Sequence, residues 1–326
     1  MNEEPTRDPT TEGTRQAAQR ISEILPPTPL LPVEIGGTQV WVKAECLQPV
    51  GAFKIRGAWH RLSSLSDEER ARGVVAVSSG NHAQGVAWAA RRLGIQADIV
   101  MPADAPRIKV ERTRELGAKV IFYDRMRENR EEIAQKLAAD RQATYVHAYA
   151  DPWVIEGQGS AGIELAEQMG RQPSRILACC GGGGLSAGLA LACPDAEIVP
   201  VEPEGWDDVC RSLETGTIQD IGNDPPATAC DALQTFATRP VNFAILQQRC
   251  GYGLRVSEPE IRAAQLFAFS RLRLVLEPGG AAALAAGLSG KARLDRNTVI
   301  MLTGGNVDLG RFADVLTEGG EQTIAG

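Results

Sequence analysis

The 326-residue chain has no apolar run long enough to cross a bilayer. Its longest, such as Ala281–Leu288, fall well short of the about 20 residues that a membrane helix needs. It has no excess of basic charge. The formal charge of −7 leaves no basic patch to follow a phosphate backbone, which argues against nucleic acid as a partner. It has no C-x-x-C pair and no zinc-like spacing. Its seven cysteines, Cys46, Cys179, Cys180, Cys193, Cys210, Cys230 and Cys250, are odd in number. They read as reduced thiols that fill the core of a cytoplasmic protein, Cys180 included although it abuts a glycine loop. There is no fixed-period repeat, no low-complexity segment and no signal peptide. Met1 to Thr14 are polar and partly acidic and are expected to form a loose tail. What is present is an ordinary globular composition, 43% hydrophobic and 23% charged, which excludes a disordered or fibrous chain.

Short apolar runs alternate with helical patterns. Val74–Val77, Ala97–Met101, Val120–Tyr123 and Thr144–His147 read as buried strands. Asn81–Arg92, Arg107–Leu116 and Glu128–Ala138 read as the helices between them. That is a βαβαβαβ series, the signature of a parallel sheet with helices on its faces. A second series follows Pro152: helix Val154–Met169, strand Arg175–Cys180, helix Leu185–Leu191 and strand Ile198–Val201. The Pro- and Gly-rich section Glu202–Pro226 reads as a loop with little regular structure. Helices at Glu258–Arg271 and Gly280–Ala286 and a strand at Thr298–Leu302 complete the pattern. Two α/β units of unequal size fit, with boundaries near Lys43–Gly51 and Tyr149.

Lys54 lies in Gly51-Ala52-Phe53-Lys54-Ile55-Arg56-Gly57-Ala58, between an aromatic and an aliphatic residue and flanked by glycines. A desolvated amine loses its proton more easily and can form a Schiff base with an aldehyde cofactor. The plainer reading is an exposed lysine at a helix start. Three glycine-rich turns each follow a strand. Ser78-Ser79-Gly80-Asn81-His82 places hydroxyls, an amide and a helix N-terminus together, a setting that favours an anion. Gly181, Gly182, Gly183 and Gly184 let successive N–H groups wrap a phosphate. Thr303-Gly304-Gly305-Asn306 lets a flat heterocycle approach the backbone. A rival reading stands on the second turn alone. Gly182-x-Gly184-x-x-Ala187, with Glu202 twenty residues beyond Gly182, fits a dinucleotide fingerprint and would make the protein an NAD-binding dehydrogenase.

Lys43-x-Glu45-x-x-Gln48-Pro49-x-Gly51-Ala52-Phe53-Lys54-x-Arg56-Gly57-Ala58 resembles the lysine motif of the pyridoxal-phosphate-dependent serine/threonine dehydratases and serine racemases. The resemblance continues through Ser78–Gly85, Glu156–Gly159, Gly181–Gly184, Glu277–Ala281 and Thr303–Val307, in family order over residues 27–312. It implies the fold-type-II architecture of this α/β class: two open, twisted, mostly parallel sheets with helices on both faces and the cofactor in a cleft between a large and a small domain. Residues 1–49 would form an N-terminal arm and part of the large domain, 50–147 the small domain, and 148–326 the large cofactor-binding domain. Lys54 would hold the cofactor and, once freed, remove the α-proton. Phe53, Asn81, Gly181, Gly182, Gly183, Gly184, Glu277 and Thr303 would surround the cofactor. Ser78, Ser79, Asn81 and His82 would bind the substrate carboxylate.

The implied reaction is dehydration and deamination of L-threonine or L-serine to a 2-oxo acid and ammonia. Ser79 matches the opposite-face acid/base of the racemases, so serine racemase is the alternative, together with a dehydratase for another β-hydroxy amino acid such as 3-hydroxyaspartate or phenylserine. The acidic run Glu202-Pro203-Glu204-Gly205-Trp206-Asp207-Asp208 maps onto the metal site of some members through Glu202, the carbonyl of Trp206 and Asp208. Mg²⁺ or Ca²⁺ is then expected. A cytoplasmic homodimer acting on a small amino acid, without the C-terminal regulatory domain of the biosynthetic threonine dehydratases, completes the expectation. Two departures bear on specificity: Tyr149 stands where relatives have Asn or Phe, and Ala232 stands where they have Gly.

Overall fold

The computed structural model describes residues 7–105, 107–124 and 126–324. Along the chain the strands are β1 (Leu30–Ile35), β2 (Thr38–Lys43), β3 (Val74–Val77), β4 (Ala97–Pro102), β5 (Lys119–Tyr123), β6 (Thr144–Val146), β7 (Arg175–Cys179), β8 (Glu197–Pro203), β9 (Leu254–Val256) and β10 (Thr298–Met301). The helices are α1 (Thr11–Ser22), α2 (Lys54–Ser63), α3 (Asp67–Arg72), α4 (Asn81–Leu93), α5 (Arg107–Glu115), α6 (Arg130–Arg141), α7 (Pro152–Met169), α8 (Gly184–Ala192), α9 (Asp208–Thr215), α10 (Pro240–Arg249), α11 (Glu258–Phe267), α12 (Pro278–Leu288) and α13 (Leu309–Ile324). Among the described residues, no helix is long and apolar enough to cross a membrane.

Two sheets form, as the alternating pattern predicts. One has the order β5-β4-β3-β6 and is parallel throughout. The other has the order β1-β2-β10-β7-β8-β9 and is parallel except for the β1–β2 hairpin at its edge. Central strands such as Val74-Val75-Ala76 and Thr298-Val299-Ile300-Met301 are buried, because helices cover both faces of a parallel sheet. The topology has one consequence for function. The C-terminal ends of β2, β3, β6, β7, β8 and β10 carry the lysine segment and every glycine or acidic turn singled out in the sequence. Ligands of open α/β sheets bind at those ends.

The structure corrects two expectations. The loose tail of residues 1–14 is not found beyond Arg7, and residues 1–6 lie outside the described part. Thr10 caps α1 by accepting from the Gly13 N–H at 2.9 Å, and Gly13, Thr14, Ala17 and Ile21 form the buried stripe of a short amphipathic helix. Arg7 and the Thr10 N–H converge on Glu156 of α7, whose side chain is fully buried beside the buried His60. Burial lowers the pKa of His60, although Glu156 opposes the shift. Local composition hid an anchor whose partner lies almost 150 residues away. The section Glu202–Pro226 likewise contains α9. Its N-terminal amides are capped not by a neighbour but by Glu202 at the end of β8, which accepts from Val209 N at 3.2 Å and Cys210 N at 2.7 Å. No local capping signature is therefore written in the sequence.

Behind the lysine segment lies a cluster of buried charges. Arg56 donates through Nε and Nη2 to the two oxygens of Glu45, both at 2.7 Å, and through Nη2 to Glu164 of α7 at 2.8 Å. Lys43 donates to Glu164, to Gln168 at 2.6 Å and to the Thr28 carbonyl at 2.8 Å. Burial alone would push the Glu45 carboxyl up, but the Arg56 guanidinium outweighs it and holds the carboxyl at about 2. Removing one member leaves the others charged and dry. Arg56→Met should therefore cost about 3–5 kcal/mol of unfolding free energy in denaturant titration, whereas truncating the exposed Arg15 should change it by no more than about 0.5 kcal/mol. Equal stabilities for the two variants would contradict this account.

Candidate active site

Lys54 is the first residue of α2, so the plainer reading, a lysine at a helix start, is correct as geometry. It is not exposed as that reading supposed. The side chain is half-buried, its Nζ donates to the Ala148 carbonyl at 2.9 Å and lies 5.2 Å from the centre of the Phe53 ring. Burial pulls the amine down to about 8, against a smaller opposing effect from Cys179 and Cys180. The segment before it is pinned to the turn after β10. Phe53 N donates to the Thr303 carbonyl at 3.1 Å, Gly305 N donates to the Gly51 carbonyl at 2.8 Å, and Ala52 pairs with Gly304. The first and third motifs of the sequence are thus one structural unit.

A short chain of side-chain amides joins this unit to the turn after β3. Asn306 Nδ2 donates to the Val50 carbonyl at 2.7 Å and to Asn81 Oδ1 at 2.8 Å, and Asn81 Nδ2 donates to Glu277 Oε1 at 2.6 Å. These contacts link the two sheets across the cleft. Glu277 is buried, and burial raises its carboxyl to about 7 although Asn81 opposes the shift. Asn306 entered the sequence reading only as the end of a turn. Its role depends on a contact 225 residues away in sequence.

The turn after β3 starts with Ser78, whose Oγ accepts from Gly80 N at 3.0 Å. Ser78 and Ser79 are half-buried. The ring of His82 is engaged elsewhere. Its Nε2 pairs with the Val146 carbonyl at 3.1 Å, its Nδ1 is buried without a partner, and burial depresses the ring to about 3, with Lys54 adding to the effect. A neutral imidazole turned toward a carbonyl does not bind a carboxylate through its side chain. What this turn offers an anion is its hydroxyls and the N-terminal amides of α4.

The glycine turn after β7 runs straight into α8. Gly183 has φ +85°, a conformation closed to most side chains, and is the cap residue of a helix whose first N–H groups have no partner within the helix. The Tyr149 ring occupies the space that a Cβ on Gly182 would need, approaching its position to 2.3 Å. The Gly182 carbonyl accepts from Thr238 Oγ1 at 3.0 Å. This is a cradle of amides at a helix N-terminus, the shape and polarity that suit a phosphate. At the far end Thr303 is buried, with its hydroxyl 2.9 Å from Cys179 Sγ. All seven cysteines are buried and unpaired, which suits packing rather than reactivity.

These features fit an aldehyde-and-phosphate cofactor: an amine of lowered pKa, a phosphate cradle and a hydroxyl at the end of β10. Residues 21–304 match the family model described as pyridoxal-phosphate dependent enzyme. The chain belongs to that family. Among its relatives, an L-threo-3-hydroxyaspartate ammonia-lyase of Pseudomonas sp. is 42% identical over 311 residues, covering 92% of this chain and 96% of that one. A serine racemase of Schizosaccharomyces pombe is 38% identical over 319 residues, covering 95% and 98%. The crystal structure of a threonine deaminase from T.th. superposes with a TM-score of 0.84 at 42% identity, covering 92% of this chain and 99% of that one. The NAD alternative falls on geometry as well. Glu202 is fully buried with both oxygens on α9 amides, so it is not a ribose-binding acid.

The acidic run divides in two. Asp207 turns to Arg211 and Arg255, and Glu204 lies 3.7 Å from Lys291. Glu202 and Asp208 turn inward. Both oxygens of Asp208 are buried without a partner. Burial raises both carboxyls, with Asp208 adding to the rise of Glu202; Asp208 itself reaches about 7. Among the described residues, no group of three or more His, Cys, Asp or Glu gathers as a metal site, so a cation here would need backbone or water oxygens as well. Trp206 contributes no side-chain ligand, since its indole N–H donates to the Pro226 carbonyl at 2.7 Å.

The lowered pKa of Lys54 has a direct readout. In cofactor-free protein the neutral amine is half-populated near pH 8, whereas an ordinary lysine at pKa ~10.4 is almost wholly protonated there. Amine-selective acylation followed by mass spectrometry should label Lys54 ahead of the surface lysines at pH 8, with its rate falling about tenfold per unit below that pH. Labelling of Lys54 that tracks the surface lysines across the pH range would overturn the desolvation argument.

Proposed function

We propose that this enzyme catalyses the elimination of the β-hydroxyl from L-threonine or L-serine, releasing ammonia and 2-oxobutyrate or pyruvate. The observation that carries this reading is the half-buried Lys54 amine, of lowered pKa and held by the Ala148 carbonyl in a cleft that also holds a phosphate cradle and a hydroxyl-rich anion site. The relatives support the reaction class, since two of those described act as an ammonia-lyase and a deaminase.

When bound, pyridoxal phosphate supplies an electron sink for the negative charge left at the substrate α-carbon. The chain supplies the rest. Gly181 to Gly184 and the α8 N-terminus would hold the phosphate. Phe53, Asn81, Glu277 and Thr303 would line the remaining walls. Ser78, Ser79 and the α4 amides would fix the substrate carboxylate and so orient the α-hydrogen. Lys54 would anchor the cofactor and take that proton as the base. Thr303 brings a neutral hydroxyl to the end of the cleft. A hydroxyl there would leave the bound cofactor a weaker electron sink, which favours loss of the β-hydroxyl over transamination.

A second reading concerns Ser79. It sits on the turn after β3, and a serine racemase is among the relatives. As a proton donor and acceptor opposite Lys54, it would interconvert L- and D-serine. A third concerns substrate: the relatedness to a 3-hydroxyaspartate lyase makes a β-hydroxy amino acid with a second carboxylate an equal candidate for the preferred side chain. Steady-state release of ammonia from L-serine, L-threonine and L-threo-3-hydroxyaspartate, with chiral chromatography of the residual amino acid, separates the three. Lys54→Ala should lose at least ~10³-fold in rate because base and cofactor anchor disappear together. Ser79→Ala should abolish any D-isomer while L-elimination persists. Near-parental ammonia release from Lys54→Ala would sink the mechanism.

The cation is part of the proposal. Mg²⁺ or Ca²⁺ would neutralise Glu202 and Asp208, with the Trp206 carbonyl as a third ligand. The support is the pair of buried, mutually repelling carboxylates, one of them with no hydrogen-bond partner. Chelation should lower the melting temperature, and re-addition of the ion should restore it. Asp208→Ala should respond to neither treatment. Identical melting temperatures with and without chelator in the parent protein would end the cation proposal.

A further inference from the structure

The segment from the end of β6 to the start of α7 meets His82, Lys54 and the glycine turn after β7, and a side chain within it folds its own backbone. The Val146 carbonyl accepts from His82 Nε2, the Ala148 carbonyl accepts from Lys54 Nζ, and the Tyr149 carbonyl accepts from Asn242 Nδ2 at 2.8 Å. The Tyr149 ring packs on Gly182 of the phosphate cradle. Asp151 closes the segment by capping α7 through the N–H groups of Trp153 and Val154 and by accepting from Arg61 Nε at 2.8 Å. In the middle, His147 Nδ1 accepts two backbone hydrogen bonds, from Tyr149 N at 3.3 Å and Ala150 N at 3.0 Å. The ring also meets Tyr149 edge-on, with centroids 4.5 Å apart.

Two donors on one ring nitrogen settle the tautomer. Nδ1 carries the lone pair and Nε2 carries the hydrogen, so the imidazole must be neutral to do this work. Burial, with Arg239, His82, Lys54 and Arg130 adding to it, depresses the ring to about 3 and keeps it in that state. A side-chain acceptor two and three residues before the amides it satisfies is the arrangement that Asn and Asp use to fold their own backbone back. Here a histidine does it, and the bend it stabilises aims the Ala148 carbonyl at the lysine.

We infer that His147 is a positioning residue for Lys54: by accepting from the Tyr149 and Ala150 amides through Nδ1, it sets the direction of the Ala148 carbonyl that holds the lysine amine and the place of the Tyr149 ring against the phosphate cradle. The inference rests on the lyase reading for its kinetic consequence and on geometry alone for the position of the amine. His147 itself need touch neither substrate nor cofactor.

The test exploits which nitrogen acts. In His147→Asn the amide oxygen falls near the position of Nδ1 and can accept the same two bonds. In His147→Gln the polar end lies near the position of Nε2 and cannot. His147→Leu keeps apolar volume and accepts nothing. In the holoenzyme, His147→Leu and His147→Gln should lose about 10²-fold in kcat with smaller changes in KM, as expected when a reacting group is misplaced by roughly 1 Å. Their visible absorption band, which reports the lysine–cofactor linkage, should titrate at a shifted pH. His147→Asn should recover most of kcat and the parental titration. A parental kcat in His147→Leu, rescue by Gln equal to that by Asn, or no rescue by Asn would each overturn the inference. A parent with no visible band and no ammonia release would sink the lyase reading instead. The positioning role is then read from amine labelling of Lys54 at pH 8: it stands if His147→Asn labels like the parent and His147→Leu does not, and falls if the two variants label alike.

Discussion

The constraint on which the active site depends is the dry cluster of Lys43, Glu45, Arg56 and Glu164. Its members come from the end of β2, the turn after it, the first turn of α2 and the middle of α7, so they grip the lysine segment on both sides. Three of these charges are fully buried and Glu164 is largely so, and such charges are costly unless each finds its partners, as this arrangement of the elements provides. The cluster contributes less to net stability than to uniqueness: it fixes where α2 starts, and therefore where Lys54 stands relative to the Thr303 turn. Gly57 N adds a second tie by donating to Gln158 of α7 at 3.1 Å. Residues of the lysine motif that never face the cleft are explained by this duty.

From that fixed point the cleft is assembled by topology. Parallel strands of two sheets end on the same side, and each end contributes one ingredient: β3 the hydroxyl turn, β6 the carbonyl that holds the amine, β7 the phosphate cradle and β10 the terminal hydroxyl. Asn81 and Asn306 then join the sheets directly. Two ion pairs, Lys109–Asp231 and Arg239–Glu131, also cross from the elements of the four-stranded sheet to those of the larger one. The site is therefore shared between sheets, and its geometry depends on how they sit against each other.

Much of this was legible in the sequence, for physical reasons that also explain the gaps. Buried parallel strands are continuous apolar runs, so β3, β4, β7 and β10 could be read to within a residue or two. Glycines and hydroxyls at strand ends marked the turns that open α4 and α8. What escaped were features whose cause lies far away in sequence. The helix α9 is capped from β8, α1 is anchored on Glu156, and Asn306 acquires meaning only through Asn81. His147 carries no spacing signal, because its partners are the amides of its own bend. The ring of His82 shows a related limit: a motif places a residue, but the direction of its ring is decided by the nearest carbonyl.

All three histidines of the chain, His60, His82 and His147, are buried or half-buried and titrate below the ordinary imidazole range. His82 and His147, both held at about 3, stay uncharged in the native state at mildly acidic pH, whereas each gains charge at about 6.5 once the chain unfolds. Taken alone, they let the unfolded chain bind more protons than the native one below that pH, but Glu277 and Asp208, both raised to about 7, and Glu202, also raised, take up protons in the native state first and oppose that loss of stability. His82 and His147 each remove about 1.4 kcal/mol per pH unit as pH falls below about 6.5, until the native value is reached. Burial thus sets neutral imidazoles against protonated carboxyls, and the response of the fold to acid is the difference between the two.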